Sequence, residues 1–263
     1  MKEKKLKYSI CIDAVFMHEK ISFAEAMKKV ADLGFEAVEF WSWWDKDIVQ
    51  IRKCMDKTGL KIAAFCTKFI NPGEEFLREE YLKGVRESIA AARRLNCNTL
   101  IAQAGWEFDS FSKGITKAKH RESLIETMKR AGELAVSENV NLVIEPLNLL
   151  VNHPGYHLST SEDAFNLVSQ IDCPNVKILF DIYHQQITEG NLIRNIIPNI
   201  EKIGHFHAAG NPGRGELAEG EIHYPNVLKS IAKCGYKGYI GLEYMTAEDP
   251  VPGLERAVRD ILV

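Results

Sequence analysis

Four polar residues stand at the ends of four apolar segments in the second half of the sequence. Each follows several mostly apolar positions, as a polar side chain at the carboxyl end of a buried strand does. They are Glu145 in NLVIEPLN, Asp181 in VKILFDIYH, His207 in IGHFHAAG and Glu243 in GYIGLEYM. If these ends meet, three carboxylates without a counter-ion would repel one another strongly. A divalent cation removes that repulsion, and this donor set suits Mn²⁺ or Mg²⁺ and tolerates Co²⁺ or Zn²⁺.

Each of the four residues taken alone could instead form a local ion pair with a lysine or arginine near the end of its strand. Coincidence at corresponding positions on four consecutive segments is harder to explain in that way. The sequence therefore predicts a shared divalent-metal site.

Four further side chains fall close to this predicted site. His184 lies just past the aspartate, and Arg214 follows the histidine segment, where its forked donors could hold a substrate oxygen. A solvent-exposed position is the alternative for both. Glu39 in EAVEFW is expected to line the pocket and contact substrate, or to support the site from behind. His205, on the same strand face as the histidine two positions later, is expected to be a buried histidine with a partner of its own.

The aromatic run WSWW (41–44) could wall off the pocket or simply pack at the end of its strand. The longest irregular stretch is NLLVNHPGYHLS (148–159), in which residues 153–156 could form a lid. His18 and His120 have no supporting pattern, and both are predicted to lie at the surface.

Short apolar segments alternate with amphipathic ones along nearly the whole chain. Strands are predicted at residues 8–13, 36–41, 61–66, 98–105, 141–148, 176–184, 203–210 and 238–245. Helical periodicity is clearest at residues 22–34, 81–96, 123–139 and 161–171, the first opening on a Ser22–Glu25 capping box.

Such alternation is typical of parallel strands joined by crossover helices. Eight units in 263 residues match a closed (β/α)₈ barrel, with active sites at the carboxyl ends of its strands. A doubly wound sheet is the alternative, but no GxGxxG motif follows the first strand. We therefore predict an α/β fold in which residues 1–263 form a single (β/α)₈ barrel domain.

The amino-acid composition indicates which kinds of binding partner the protein has and in which cellular compartment it functions. Lys and Arg number 33 against 36 Asp and Glu, a net charge of −3 that offers no general attraction for nucleic acid or anionic membranes. No segment approaches the ~20 apolar residues of a membrane span. Six scattered cysteines without a CxxC motif indicate reduced thiols and a cytoplasmic protein.

The sequence also resembles the xylose isomerase-like (β/α)₈ superfamily and, within it, the hydroxypyruvate isomerase branch. The resemblance runs over most of the chain, through EAVEFW, EPLNLLVNHPGYHL, FDIYHQQ, HFHAAGNPGRGELAEGEIHY and GYIGLEY. The segments EPLN…PGYHL and AGNPGR…GEIHY are the ones specific to that branch.

This resemblance implies a divalent-metal-dependent isomerase that interconverts small α-hydroxy-carbonyl compounds through a metal-stabilised enediolate. It implies that Glu145, Asp181, His207 and Glu243 are the metal ligands and that the two glutamates are the acid–base pair. It further implies that His184 and Arg214 contact a sugar or hydroxy-keto acid, in a homodimer or homotetramer.

The chain departs from the branch at one position, because the hydroxypyruvate isomerases usually carry glutamine where this sequence has His207. Histidine there is the habit of ketose 3-epimerases related to the tagatose and psicose enzymes, which makes such an epimerase the nearest alternative. An apurinic endonuclease of the same superfamily would need more histidines and a basic face. A non-catalytic sugar-binding relative would normally have lost one of the four ligands, and this chain keeps all four.

Overall fold

A computed structural model describes residues 5–262 of the protein, apart from the side chains of residues 108 and 109. Its eight strands are β1 (Lys7–Cys11), β2 (Ala37–Phe40), β3 (Lys61–Cys66), β4 (Thr99–Ala102), β5 (Asn141–Ile144), β6 (Val176–Asp181), β7 (Ile203–Ala208) and β8 (Tyr239–Leu242). All eight predicted strands are present. Several are shorter than predicted at their carboxyl ends, where the polar residues of interest begin.

The helices fill the intervals between the strands. They are α1 (Ile12–Val15), α2 (Phe23–Asp32), α3 (Ile48–Thr58), α4 (Arg78–Leu95), α5 (Glu107–Ser112), α6 (Lys117–Ser137), α7 (Ser161–Ile171), α8 (Ile182–Thr188), α9 (Leu192–Ile196), α10 (Tyr224–Lys233) and α11 (Pro250–Asp260). Short 3₁₀ segments occupy Glu75–Leu77 and Ile197–Lys202. Among residues 5–262, no helix has both the length and the apolar composition that crossing a membrane requires.

The strands form a closed barrel in sequence order, and every neighbouring pair, including β8 with β1, is parallel. This confirms the predicted (β/α)₈ fold. The carboxyl ends of all eight strands therefore open on one face. The register places Asp181 beside His207, and His207 beside Gly241, so the ends of β6, β7 and β8 are level.

Local signals in the sequence account for the elements nearest the predicted site. Ser22 and Glu25 form the expected capping box at the start of α2. The predicted strand 176–184 ends at Asp181, because that carboxylate accepts hydrogen bonds from the backbone N–H groups of Tyr183 and His184 and so starts α8. His184 consequently lies on a helix rather than on the strand.

Two apolar regions stabilise the barrel. The larger packs the outer faces of the strands against the helices, whereas a smaller cluster fills part of the interior. The interior cluster consists of Ala64, Cys66, Ile101, Val143 and Leu179, which come from β3 to β6. The other half of the interior, formed by β1, β2, β7 and β8, is polar. All six cysteines are free thiols.

Candidate metal centre

The four predicted metal ligands converge at the barrel mouth. Glu145, Asp181, His207 and Glu243 each offer one ligand atom, and these atoms all lie within 4.8 Å of one another. His207 Nδ1 is 3.6 Å from Glu145 Oε1 and 3.3 Å from Glu243 Oε2. Three carboxylates and one imidazole thus surround a single point above β5 to β8.

Several atoms in this cluster are buried without a hydrogen-bond partner in the described part of the chain. They are Glu145 Oε1, both ring nitrogens of His207, and Nε2 of His184. Buried polar atoms left unsatisfied are costly, so such a group calls for something that satisfies it. Lone pairs on a carboxylate oxygen and on an imidazole nitrogen are donors to a divalent cation, and the residues present therefore fit a metal ion.

The carboxylates of the cluster titrate differently because their surroundings differ. Burial raises the pKa of Glu145 and of Asp181. Burial acts in the same direction on Glu243, but Arg214 and His207 overcome it and hold the pKa of Glu243 well below its usual range. Burial disfavours the His207 imidazolium, yet Glu243 and Glu39 raise the pKa of His207 well above its usual value. Negative carboxylates and positively charged side chains are therefore crowded together at the barrel mouth.

Besides its contact with His207, Glu243 accepts hydrogen bonds from two donors. The indole Nε1 of Trp41 donates to Glu243 Oε1 at 2.6 Å, and Arg214 donates through Nη2 to Oε2. Arg214 Nη2 is also 3.9 Å from Asp181, and its guanidinium lies 5.6 Å from the ring centre of Tyr183. Arg214 therefore lies at the predicted metal site, with its Nε buried and unpartnered within the described residues.

His184 is a neutral donor directed at the site. Its Nδ1 lies 2.6 Å from the side-chain amide nitrogen of Asn148, which donates to it, so the ring proton resides on Nε2. Burial lowers the pKa of His184 to about 3, which keeps the ring uncharged. Nε2 lies 3.5 Å from Asp181 Oδ2. The geometry brings this side chain next to one of the four predicted ligands, and its contact with substrate stays a prediction.

Glu39 lies deeper, beneath His207. Its side chain is 1% exposed, and its two oxygens lie 3.0 Å from His207 Nε2 and 2.9 Å from His205 Nε2. This position fits the supporting role considered from the sequence better than contact with substrate. His205 is buried with Glu39 as its partner, as expected.

The loop after β5 closes one side of the mouth. The ring of His153 packs 5.2 Å from that of His184. The hydroxyl of Tyr156 is buried and accepts a hydrogen bond of 2.5 Å from the backbone N–H of Ala104, just after β4. Asn148, which anchors the loop to His184, was not singled out from the sequence. The sequence offers one signal for this role: Asn148 is a polar residue that directly follows Pro146 and Leu147 in an otherwise apolar segment.

The prediction that His120 lies at the surface is wrong. Its ring is fully buried, 4.3 Å from the ring of His157, and its Nε2 contacts the side chain of Asn71 at 3.2 Å. It is buried because α6 begins at Lys117, six residues earlier than the predicted 123, which turns His120 toward the loops after β3 and β5. His18 is exposed, as predicted.

The chain matches a protein-family model described as xylose isomerase-like TIM barrel over residues 27–261. Hydroxypyruvate isomerase of Escherichia coli K12 is 30% identical over 260 residues, which cover 95% of this chain and 97% of the relative. A 2-oxo-tetronate isomerase of Pectobacterium atrosepticum is 29% identical over 235 residues, which cover 85% of this chain and 87% of the relative.

Solved structures give the same picture of the fold. A Brucella melitensis protein described as AP endonuclease, family 2, superposes with a TM-score of 0.90 at 26% identity, covering 97% of this chain and 99% of that one. The D-psicose 3-epimerase of Clostridium cellulolyticum H10, crystallised with D-tagatose, superposes with a TM-score of 0.73 at 20% identity, covering 95% of both chains.

Proposed function

Because the chain belongs to the xylose isomerase-like TIM barrel family, we propose that it is a divalent-metal-dependent isomerase of small α-hydroxy-carbonyl compounds. The observation that carries this proposal is the convergence of Glu145, Asp181, His207 and Glu243 within 4.8 Å at the barrel mouth. Relatives named hydroxypyruvate isomerase and 2-oxo-tetronate isomerase support the reaction class.

The four ligands would hold Mn²⁺ or Mg²⁺, or else Co²⁺ or Zn²⁺, and the bound ion would supply Lewis-acid polarisation of the substrate carbonyl. Oxygens of Glu145 and Glu243 lie 3.6 Å and 3.3 Å from the same nitrogen of His207. In the proposed reaction, one glutamate would remove a proton from carbon and the other would return it to the neighbouring carbon. Their surroundings are unequal, since Glu243 is held by Trp41 and Arg214 whereas Glu145 has an oxygen without a partner in the described residues. Unequal surroundings are what an acid–base pair needs.

His184 and Arg214 would bind the substrate. The Nε2–H of His184 is directed at the site and can donate to a substrate oxygen. Arg214 can transfer its donors from Glu243 to a substrate carboxylate or hydroxyl, and its planar fork suits a carboxylate best.

We propose hydroxypyruvate or a related small hydroxy-keto acid as the substrate class. Ketose 3-epimerisation is the second candidate, favoured by His207 in the position where the hydroxypyruvate isomerases usually carry glutamine. Two further readings fit less well. An endonuclease with more metal-binding histidines is disfavoured, since β3 and β4 end in Cys66 and Ala102 and the net charge is −3. A non-catalytic binding protein would not need the complete ligand set.

The free thiols support a reducing compartment, and we propose a cytoplasmic location on that basis. Assembly as a homodimer or homotetramer stays a prediction.

The experiment is proton exchange with the solvent. Metal-loaded protein is incubated in D₂O with hydroxypyruvate and separately with D-fructose and D-tagatose, each with Mn²⁺, Mg²⁺ or Co²⁺, and C–H exchange is followed by NMR. Exchange with hydroxypyruvate alone supports the isomerase, whereas exchange with only the ketoses favours the epimerase. Absence of exchange with every compound contradicts catalysis.

The first mutational prediction concerns the acid–base pair. Glu145→Gln and Glu243→Gln should each lower kcat by about 10²–10⁴-fold, because general acid–base catalysis contributes on that scale. Glu87→Gln, which alters a surface carboxylate paired with Lys68, is the matched control and should leave kcat unchanged. Circular dichroism checks that the barrel is folded. A folded Glu145 or Glu243 variant with near-parental turnover would overturn the assignment.

A further inference from the structure

The polar half of the barrel interior contains a carboxylate that the proposed chemistry does not use. We propose that Glu39 is a positioning residue, which fixes the ring of His207 so that Nδ1 is presented to the metal as a lone-pair donor. The proposal rests on the metal centre proposed above and adds a second layer to it. Glu39 is not one of the four residues that converge at the mouth, and it would act through His207, whose Nε2 lies 3.0 Å from its Oε1.

The contacts of Glu39 are divided between its two oxygens. Oε2 accepts a hydrogen bond from the hydroxyl of Ser9 at 2.9 Å and lies 2.9 Å from His205 Nε2. Oε1 lies 3.0 Å from His207 Nε2, within ion-pair distance, and neither of these two atoms has a hydrogen-bond partner in the part of the chain that the structure describes. Glu39 and His207 therefore depend on each other at this depth.

The pairing decides which ring nitrogen carries the proton. A metal-bound imidazole is neutral, with one N–H and with the other nitrogen's lone pair given to the metal, and a carboxylate beside Nε2 favours the N–H on that side. Nδ1 is then left with its lone pair, and it is the nitrogen that faces Glu145 and Glu243. Carboxylates behind metal-binding histidines fix the tautomer and orientation and raise the basicity of the ligand.

The neighbouring strand leaves space for this arrangement. Glu39 comes from β2 and reaches His207 on β7 across the position of Gly241 on β8. A Cβ at Gly241 would lie 2.0 Å from Glu39 Oε1, so any larger residue there would displace the carboxylate. The backbone of Gly241 does not have the positive φ that would otherwise demand glycine. Glycine at position 241 therefore leaves the space that the Glu39 carboxylate needs to contact His207.

Ser9 and His205 hold the carboxylate from its other side. Both side chains are buried, and both contact Oε2 rather than the oxygen that faces His207. With two contacts on Oε2, the orientation of the carboxylate plane is fixed, and Oε1 is directed at His207. The polar half of the interior thus forms one connected support for a single ligand.

The test is Mn²⁺ affinity without substrate, measured by competition with a chromophoric chelator. Glu39→Gln removes the charge and Glu39→Leu also removes the acceptor, so the affinity should fall about 10–100-fold, more in the leucine variant. Glu87→Gln, the same isosteric change in a surface carboxylate paired with Lys68, is the matched control and should leave Mn²⁺ affinity unchanged. Gly241→Ala should weaken binding as Glu39→Gln does, by displacing the same carboxylate.

A double-mutant cycle separates positioning from general support. In a His207→Gln background, Glu39→Gln should change Mn²⁺ affinity by less than about threefold, since the ring on which Glu39 acts is gone. An equal loss in both backgrounds would overturn the proposal, as would folded Glu39 variants that bind Mn²⁺ like the parent protein. If the parent protein itself binds no divalent metal, the proposed function fails instead, so the two failures are distinguishable.

Discussion

The protein buries two pairs of histidines, and the pairs behave in opposite ways. His205 and His207 lie on β7 with ring centres 5.2 Å apart, whereas His120 from α6 and His157 from the loop after β5 lie 4.3 Å apart. A carboxylate contacts each pair: Glu39 lies 3.0 Å from His207, and Glu107 lies 2.8 Å from His157. Burial and a neighbouring carboxylate are therefore common to both.

The two pairs differ in the charged residues that surround them and therefore in the pKa of their rings. For His207, burial opposes protonation, but Glu243 and Glu39 prevail and raise its pKa well above the usual value. For His120, Glu107 and Glu74 oppose the effect of burial without overcoming it, and burial lowers the pKa of both His120 and His157 to about 4. Arg121 and Lys117 act in the same direction on His157. The His205–His207 pair thus lies next to several carboxylates, whose negative charge a bound cation would neutralise. The His120–His157 pair is uncharged and contributes to packing.

Removing one ring from each pair should give the largest contrast. His207→Ala should weaken Mn²⁺ binding by more than about 100-fold and abolish turnover, because one of four ligands is lost. His157→Ala should leave Mn²⁺ affinity within about twofold but lower the free energy of unfolding by about 2–4 kcal/mol, because it leaves a cavity and unpaired polar groups. Chelator competition and urea unfolding of the metal-free proteins measure the two effects. Equal losses of metal affinity would contradict the division of roles.

The sequence was sufficient to predict the fold and the first of these pairs for a physical reason. Strand–helix alternation and polar residues after apolar segments are local patterns, and a closed parallel barrel turns such local positions into neighbours. His207 and Asp181 could therefore be placed together from their strand positions alone, and their register confirms this.

The second pair could not be predicted in this way. His120 and His157 come from a helix and a loop, and nothing periodic in the sequence relates the two positions. The contacts of Asn148 with His184, and of the Trp41 indole with Glu243, are likewise made by side chains whose direction depends on loop geometry. Sequence patterns specify which strand end a residue follows, but not which atom of it meets its partner.

The second pair should make stability sensitive to acid. Because the pKa of His157 is about 4 in the folded protein and about 6.5 when unfolded, the unfolded state binds protons first as pH falls. The stabilisation is complete above about pH 6.5 and is lost as pH falls toward 4. Between pH 7 and 5, His157→Gln should lose about 1–2 kcal/mol less unfolding free energy than the parent protein.

Urea unfolding at a series of pH values, with a chelator present, measures this difference. His18→Gln is the control for the loss of an imidazole, because His18 is exposed. Parallel profiles for the parent and His157→Gln would contradict the neutral, buried description of this ring.

The smallest effect should come from the carboxylate of the second pair. Because His157 is neutral at pH 7, the partners of Glu107 are an uncharged ring and the exposed Lys117 rather than a buried cation. Glu107→Gln should therefore change the free energy of unfolding by less than about 1 kcal/mol and leave Mn²⁺ affinity unchanged. The same isosteric change at Glu39 should cost 10–100-fold in metal affinity. If the two substitutions had equal effects on Mn²⁺ binding, proximity of a carboxylate to a buried histidine would not distinguish a metal-positioning contact from a structural one.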